Sequence, residues 1–126
     1  VVILIITLIY DNMEQIVICK EDRMKDIQET VDNYIKKYNL ESSTEIRFID
    51  LVSEVGELGK EILKGNDYGK KDYCNTENLK SEFGDVLFSL ICIANGVNVD
   101  LKQSLEEVLT KYEDRFSKKG NIGSGR

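Results

Sequence analysis

A chain of 126 residues with 17 basic and 23 acidic side chains, formal charge −6, is sized for one domain with one core, and its charge argues against nucleic acid or an anionic membrane surface as a partner. It contains no His, which removes the commonest general base and the commonest transition-metal ligand, makes zinc an unexpected ion, and turns any site toward carboxylates and hard cations. Proline and tryptophan are also absent and hydrophobic residues make up 41%, the composition of a soluble, largely helical protein.

The first nine residues, VVILIITLI, are apolar but too few to span a bilayer, and they lack the basic leader and small-residue cleavage site of a secretory signal. The β-branched content of this run and of IVIC suggests a short irregular or β-like arm over residues 1–23; Met13 and Met24, just ahead of the first helical pattern, make a start-site extension the other reading. Cys19, Cys74 and Cys92 are odd in number and lack C-x-x-C spacing, so they read as reduced thiols of a cytosolic protein.

A domain is expected over residues 24–119. From Met24 to Asn39, apolar residues at Ile27, Val31, Tyr34, Ile35 and Tyr38 mark one face of a first helix. After ESSTE, with Ser43 or Thr44 as N-cap, a second helix is predicted from about Ile46 to Lys64. The segment GNDYGKKDYCNT is a loop, and Asn75 or Thr76 can cap a third helix from about Glu77 to Asn95. That helix is apolar almost all round from Phe83 onward, as expected of a central, enclosed helix. Asp100 followed by Gln103 resembles a capping box; Leu101, Leu105, Val108, Leu109, Tyr112 and Phe116 define a fourth helix that Gly120 ends. Residues 120–126 form a small, polar tail that is flexible unless it folds over a ligand. The fold class is therefore all-α, a bundle of four helices.

Two acidic seams carry the functional argument. On the second helix, Ile49, Val52, Val55, Leu58, Ile62 and Leu63 occupy the apolar half, while Asp50, Glu54, Glu57 and Glu61 share one narrow stripe. Like charges at i,i+4 repel, whereas a solvated face normally alternates signs. On the third helix, Glu82, Asp85 and Ser89 form a polar seam on an otherwise apolar surface, and no Lys or Arg lies between Phe83 and Leu101. A carboxylate taken out of water must be protonated, paired or bound to a metal. Facing seams would join Glu54, Glu57, Glu82 and Asp85 into an all-oxygen site suited to Mg²⁺ or Mn²⁺. Di-iron bundles use Glu-x-x-His pairs, which this chain cannot supply.

These residues are also recognisable. RFIDLVSEVGELGKEIL followed by LKSEFGDVLFSL resembles the MazG-like, all-α NTP pyrophosphohydrolase superfamily, whose signature is ExxE, a spacer, then ExxD, and the likeness runs from about residue 24 to residue 119. The resemblance implies a four-helix core, dimers or dimers of dimers, and Mg²⁺-dependent cleavage of a nucleoside triphosphate between the α and β phosphates, with Glu54, Glu57, Glu82 and Asp85 as metal ligands. Nucleotide-pool house-cleaning is the biological role expected of such an activity. Many relatives carry a glutamate immediately before the first motif glutamate, where this chain has Ser53; Glu61, Asp50 or metal ligation alone is then left to activate the water.

Phosphate contacts are expected from Lys111 and Arg115, one turn apart on the fourth helix, where the family often places basic residues. Lys118 and Lys119 are weaker candidates, and Lys60, Lys64, Lys70 and Lys71 lie on or near the long loop. Asn95 stands where relatives often carry Asn, which suggests a base or sugar contact; next to Gly96 it also reads as a helix C-cap. Tyr34, Tyr38 and Phe48 have the spacing of core residues and the rings to stack on a base. Alternatives on the same bundle are a weakly hydrolysing nucleotide-binding regulator, a purely structural bundle whose acids pair with basic residues of the fourth helix, and phosphoribosyl-ATP pyrophosphatase.

Overall fold

The computed structural model describes residues 23–124, and among them it contains four helices and no strand. The expected arm falls, but for Arg23, outside the described residues, as do Cys19 and the last two residues of the tail. Helix α1 runs Arg23–Lys37, α2 Thr44–Gly65, α3 Leu79–Gly96 and α4 Leu101–Lys119.

Three helix ends, at Ser43, Asp100 and Gly120, follow the local chemistry read from the sequence. The first helix closes in a turn in which Asn39 takes a left-handed φ of 53°, a conformation asparagine tolerates well. At the start of α2, Ser43 caps by accepting from the Ile46 N–H, and at the start of α4 Asp100 accepts from the Gln103 N–H at 2.9 Å. The reciprocal half of that capping box is not made, because the Gln103 amide donates to Glu107 instead. Gly120, at φ 72°, returns its N–H to the Phe116 carbonyl and ends α4.

Helix α3 begins at Leu79, two residues later than the sequence pattern predicts. The reason is tertiary: the Thr76 hydroxyl donates to Glu61 at 2.7 Å and is lost as a cap, so Glu77 and Asn78 form a turn and Asn78 makes no side-chain capping bond.

Paired contacts give the arrangement of α2 and α3. The Cys74 N–H donates to the Gly65 carbonyl at one end, and Thr44 lies beside Gly96 at the other, so the two helices are antiparallel over most of their length. At Gly65 the backbone runs against the Tyr73 ring so closely that a Cβ would stand 2.5 Å from a ring carbon, and only glycine fits. Helix α1 packs on α3 and α4, and the chain bends by 101° between α3 and α4. Helix α3 thus touches both α1 and α2, the central position its apolar sequence predicts.

Burial within one chain is thin. Only Ile91 and Ala94 are fully buried apolar residues among those described. Ile49, Val52, Val55, Ile62 and Leu63, expected to face the core, are largely exposed, with Ile49 at 66%; Phe83 and Leu87 on α3 and Leu105, Leu109 and Phe116 on α4 are exposed too. One chain carries more apolar helix surface than its own helices cover.

Candidate active site

Antiparallel pairing of α2 and α3 sets the middle of one helix against the first turns of the other. It brings Glu54 to Glu82 and Asp85, which stand one turn apart on α3, so that one carboxylate oxygen from each lies within 4.8 Å of the others. Glu54 and Glu82 are half-buried and Asp85 is exposed. Burial, followed by the negative charges of Asp85, Glu61, Glu57 and Glu54, pushes the Glu82 carboxyl above the ordinary carboxylate range. No cationic side chain pairs with any of these three acids among the described residues.

Glu57, the fourth expected ligand, is not in the cluster: its exposed carboxylate meets the Lys60 ammonium at 3.3 Å. Glu61 is 5% exposed, and both its oxygens are engaged, one by Lys64 and the other by the Thr76 hydroxyl. These two donors, Lys64 foremost, hold its carboxyl below the usual range. Asp50 pairs with Arg47 at 3.7 Å.

Beside the cluster opens a cavity of about 520 Å³, lined by Thr30, Val31, Tyr34, Leu40, Asp85 and Phe88. Tyr34 stands edge-on to Phe88, with ring centroids 6.1 Å apart, so α1 and α3 supply an aromatic wall whose margin reaches the acids.

An all-oxygen cluster at this place in a helical hairpin can be set against known proteins. A model of the MazG nucleotide pyrophosphohydrolase domain matches residues 43–119. The chain belongs to the MazG family. YpjD of Bacillus subtilis (strain 168), an uncharacterized protein, is 36% identical over 104 residues, covering 76% of this chain and 92% of its own. The crystal structure of the Bacillus-conserved MazG protein, a nucleotide pyrophosphohydrolase, superposes with a TM-score of 0.60 at 36% identity, over 71% of this chain and 87% of that one. The structure of YPJD from Bacillus subtilis gives the same TM-score and identity, over 71% and 93%. The protein is therefore a MazG-like enzyme, a hydrolase of acid anhydride bonds whose substrate is a nucleotide.

The remaining expected site residues of this MazG domain lie apart from the acids. Asn95 is ten residues beyond Asp85, about 15 Å along α3. It is locked to α1: its Nδ2 donates to the Gln28 carbonyl at 2.8 Å and its Oδ1 accepts from Gln28 Nε2 at 3.0 Å. Lys111 and Arg115 ride on α4, whose main packing is against α1. Lys111 sits by the Tyr112 ring, and Arg115 donates to the Ile122 carbonyl of the tail. Glu107, one turn before Lys111, accepts from Gln103 at 3.1 Å rather than pairing with that lysine. The sequence pattern did not reveal the partners of Glu61. Lys64, at i+3 from Glu61, stood out only as a loop-side cation, and Thr76 only as a possible cap, because nothing in local spacing signals its bond across fifteen residues.

Proposed function

We propose that the chain hydrolyses a nucleoside triphosphate between its α and β phosphates, releasing the monophosphate and pyrophosphate, and serves nucleotide-pool house-cleaning. The observation that carries this reading is the cluster of Glu54, Glu82 and Asp85 with no cationic side chain among them. Such a set fits a hard divalent cation: the donors are all oxygen, the charge is uncompensated, and the spread of at most 4.8 Å needs only a small contraction to meet one ion. Mg²⁺, with Mn²⁺ as a substitute, would be held by these three residues and by Glu57, which shares their side of α2 and reaches them by leaving Lys60. The ion supplies charge neutralisation for the phosphates and a more acidic attacking water. Release of Glu57 would free Lys60 to meet a phosphate oxygen. Both candidate bases, Glu61 and Asp50, are engaged by other side chains, which favours the reading without a separate base. The cavity between Tyr34 and Phe88 suits a base or sugar, since it offers apolar and aromatic walls beside the acids.

Self-association belongs to this reading. The exposed apolar residues of α2, α3 and α4 amount to more than isolated surface hydrophobics and match what a second copy would cover. Within one chain Lys111 and Arg115 stand on a helix that packs chiefly on α1; a second copy would let them reach a triphosphate at the neighbouring acids. Sedimentation of the full chain is expected to give a dimer or a dimer of dimers, and a monomer at micromolar concentration would overturn this part.

The decisive assay is pyrophosphate release from a panel of canonical and modified nucleoside triphosphates with Mg²⁺, comparing the native chain with Glu57→Gln and Asp85→Asn. Monophosphate and pyrophosphate as products, lost in both variants and on chelation, are expected. A folded, Mg²⁺-binding native chain that turns over no nucleotide would overturn the proposal and leave a nucleotide-binding regulator.

A further inference from the structure

Helix α3 carries two of the three clustered acids in its first two turns, yet its N-terminus has no side-chain cap. An uncapped helix start frays unless something else fastens it. Here the fastening comes from α2. The Cys74 N–H is bonded to the Gly65 carbonyl at 2.9 Å, the Tyr73 ring lies on Gly65, and the Thr76 hydroxyl donates to Glu61 at 2.7 Å. From Thr76 the ties run directly into α3: its carbonyl accepts from the Leu79 N–H, and the Asn78 carbonyl accepts from the Glu82 N–H at 3.2 Å. Glu61 is the anchor of this chain of contacts, and it is among the most buried side chains described. Lys64, one turn on, pairs with it. The carboxylate is held there as an acceptor, one oxygen engaged by Lys64 and the other by Thr76.

We propose that Glu61 is a positioning residue for the nucleotide hydrolase: with Lys64 and Thr76 it fastens the segment 66–78 to α2 and thereby sets Glu82 at the distance from Glu54 that cation binding needs. The assignment rests on the proposed cation site and makes Glu61 something other than the base that accepts a proton from water. Groups that orient ligands in this indirect way typically change metal affinity by about 10- to 100-fold when removed.

The test compares Thr76→Val, which deletes the donor at nearly constant shape, with Thr76→Ser, which keeps a hydroxyl, and with Glu61→Gln. Three quantities are read on the full chain: amide hydrogen exchange of residues 79–83 without metal, Mn²⁺ affinity by electron paramagnetic resonance, and kcat and KM for pyrophosphate release. Thr76→Val is expected to speed exchange in that first turn and weaken Mn²⁺ binding by about tenfold, with Thr76→Ser close to native in both. Glu61→Gln should lower Mn²⁺ affinity in the same direction, and the loss of turnover in both variants should recover at high Mn²⁺.

Unchanged exchange and Mn²⁺ affinity in Thr76→Val would overturn the proposal. So would a Glu61→Gln variant that binds Mn²⁺ as tightly as the native chain yet cannot be rescued, the behaviour of a general base. Because exchange and Mn²⁺ binding need no turnover, failure of the hydrolase reading shows as native Mn²⁺ binding without product, a separate result. Should Glu61→Gln fail to fold, the Thr76 pair carries the test alone.

Discussion

Helix α3 carries two polar constellations about 15 Å apart, and they differ in whether their hydrogen bonds close. Around Asn95, Gln28 of α1 spends its whole amide inside the protein: Nε2 donates to Asn95 Oδ1 and to the Val99 carbonyl, and Oε1 accepts from the Leu101 N–H, each at 3.0 Å. Around Glu82 and Asp85 the described residues supply acceptors and no side-chain donor, and the charges acting on Glu82 are of the same sign. A closed network satisfies its members and fastens the elements they come from; an open one keeps its capacity for a ligand. The first holds α1 to the α3–α4 turn. The second is where chemistry can occur.

The comparison breaks most visibly in turnover. Glu82→Gln or Asp85→Asn is expected to lower pyrophosphate release by about 10²-fold or more, since on the proposed reading several kcal/mol of transition-state stabilisation would act through an ion held by these acids. Gln28→Ala should leave kcat within about threefold if its network is structural; a loss comparable to that of the acids would mean the amide cluster takes part in the reaction.

In stability the order reverses. Gln28→Ala strips partners from Asn95 and from the Leu101 N–H, and urea unfolding should show a cost of about 2 kcal/mol. Asn95→Ala should not add its full cost to that of Gln28→Ala, because the two act in one network.

The pH dependence sharpens the contrast further. The Glu82 carboxyl is raised in the folded state, so its contribution to stability is full below the unfolded carboxylate value and is lost as pH rises through the folded one. Metal-free protein should therefore melt lower as pH rises across that window. Glu82→Gln should remove the decline, and Mg²⁺ should offset it in the native chain. Glu61 runs the other way: its lowered carboxyl contributes above the unfolded value and is lost as pH falls. Thermal melts from acid to neutral pH with and without Mg²⁺ separate the two; a metal-free Glu82→Gln variant that melts lower than the native chain at neutral pH would show that the cluster carries no repulsion.

The smallest effect concerns Lys60. Its ion pair with Glu57 is exposed, and Lys60→Gln should change stability by about 0.5 kcal/mol or less. The same change removes the competitor for Glu57, so Mn²⁺ titration should show affinity equal to or a few-fold above native.

Much of this was legible residue by residue. The helices follow from apolar spacing, and Ser43, Asp100 and Gly120 mark their ends because a cap needs only a side chain and an amide within three or four residues. Glu54, Glu82 and Asp85 were marked as a site by acids recurring one turn apart on faces where solvated helices alternate charge. The failures lie where distant segments meet. Thr76 has the chemistry of a cap but finds a better acceptor in Glu61. Asn95 looks like a free amide at the end of a helix until Gln28 is placed against it. Ile49, Val52 and Val55 have the periodicity of a core, and periodicity does not say whether the covering surface comes from the same chain.

The sequence by itself determined the helical class, the helix ends at Ser43, Asp100 and Gly120 and the acidic character of the site, since these rest on periodicity and on contacts within one turn. Only the tertiary structure decided which acids converge, that Glu61 is held across fifteen residues by Thr76, and that Asn95 serves α1. Those outcomes depend on which of several chemically acceptable partners comes within about 3 Å, and the packing of one helix on another sets that distance.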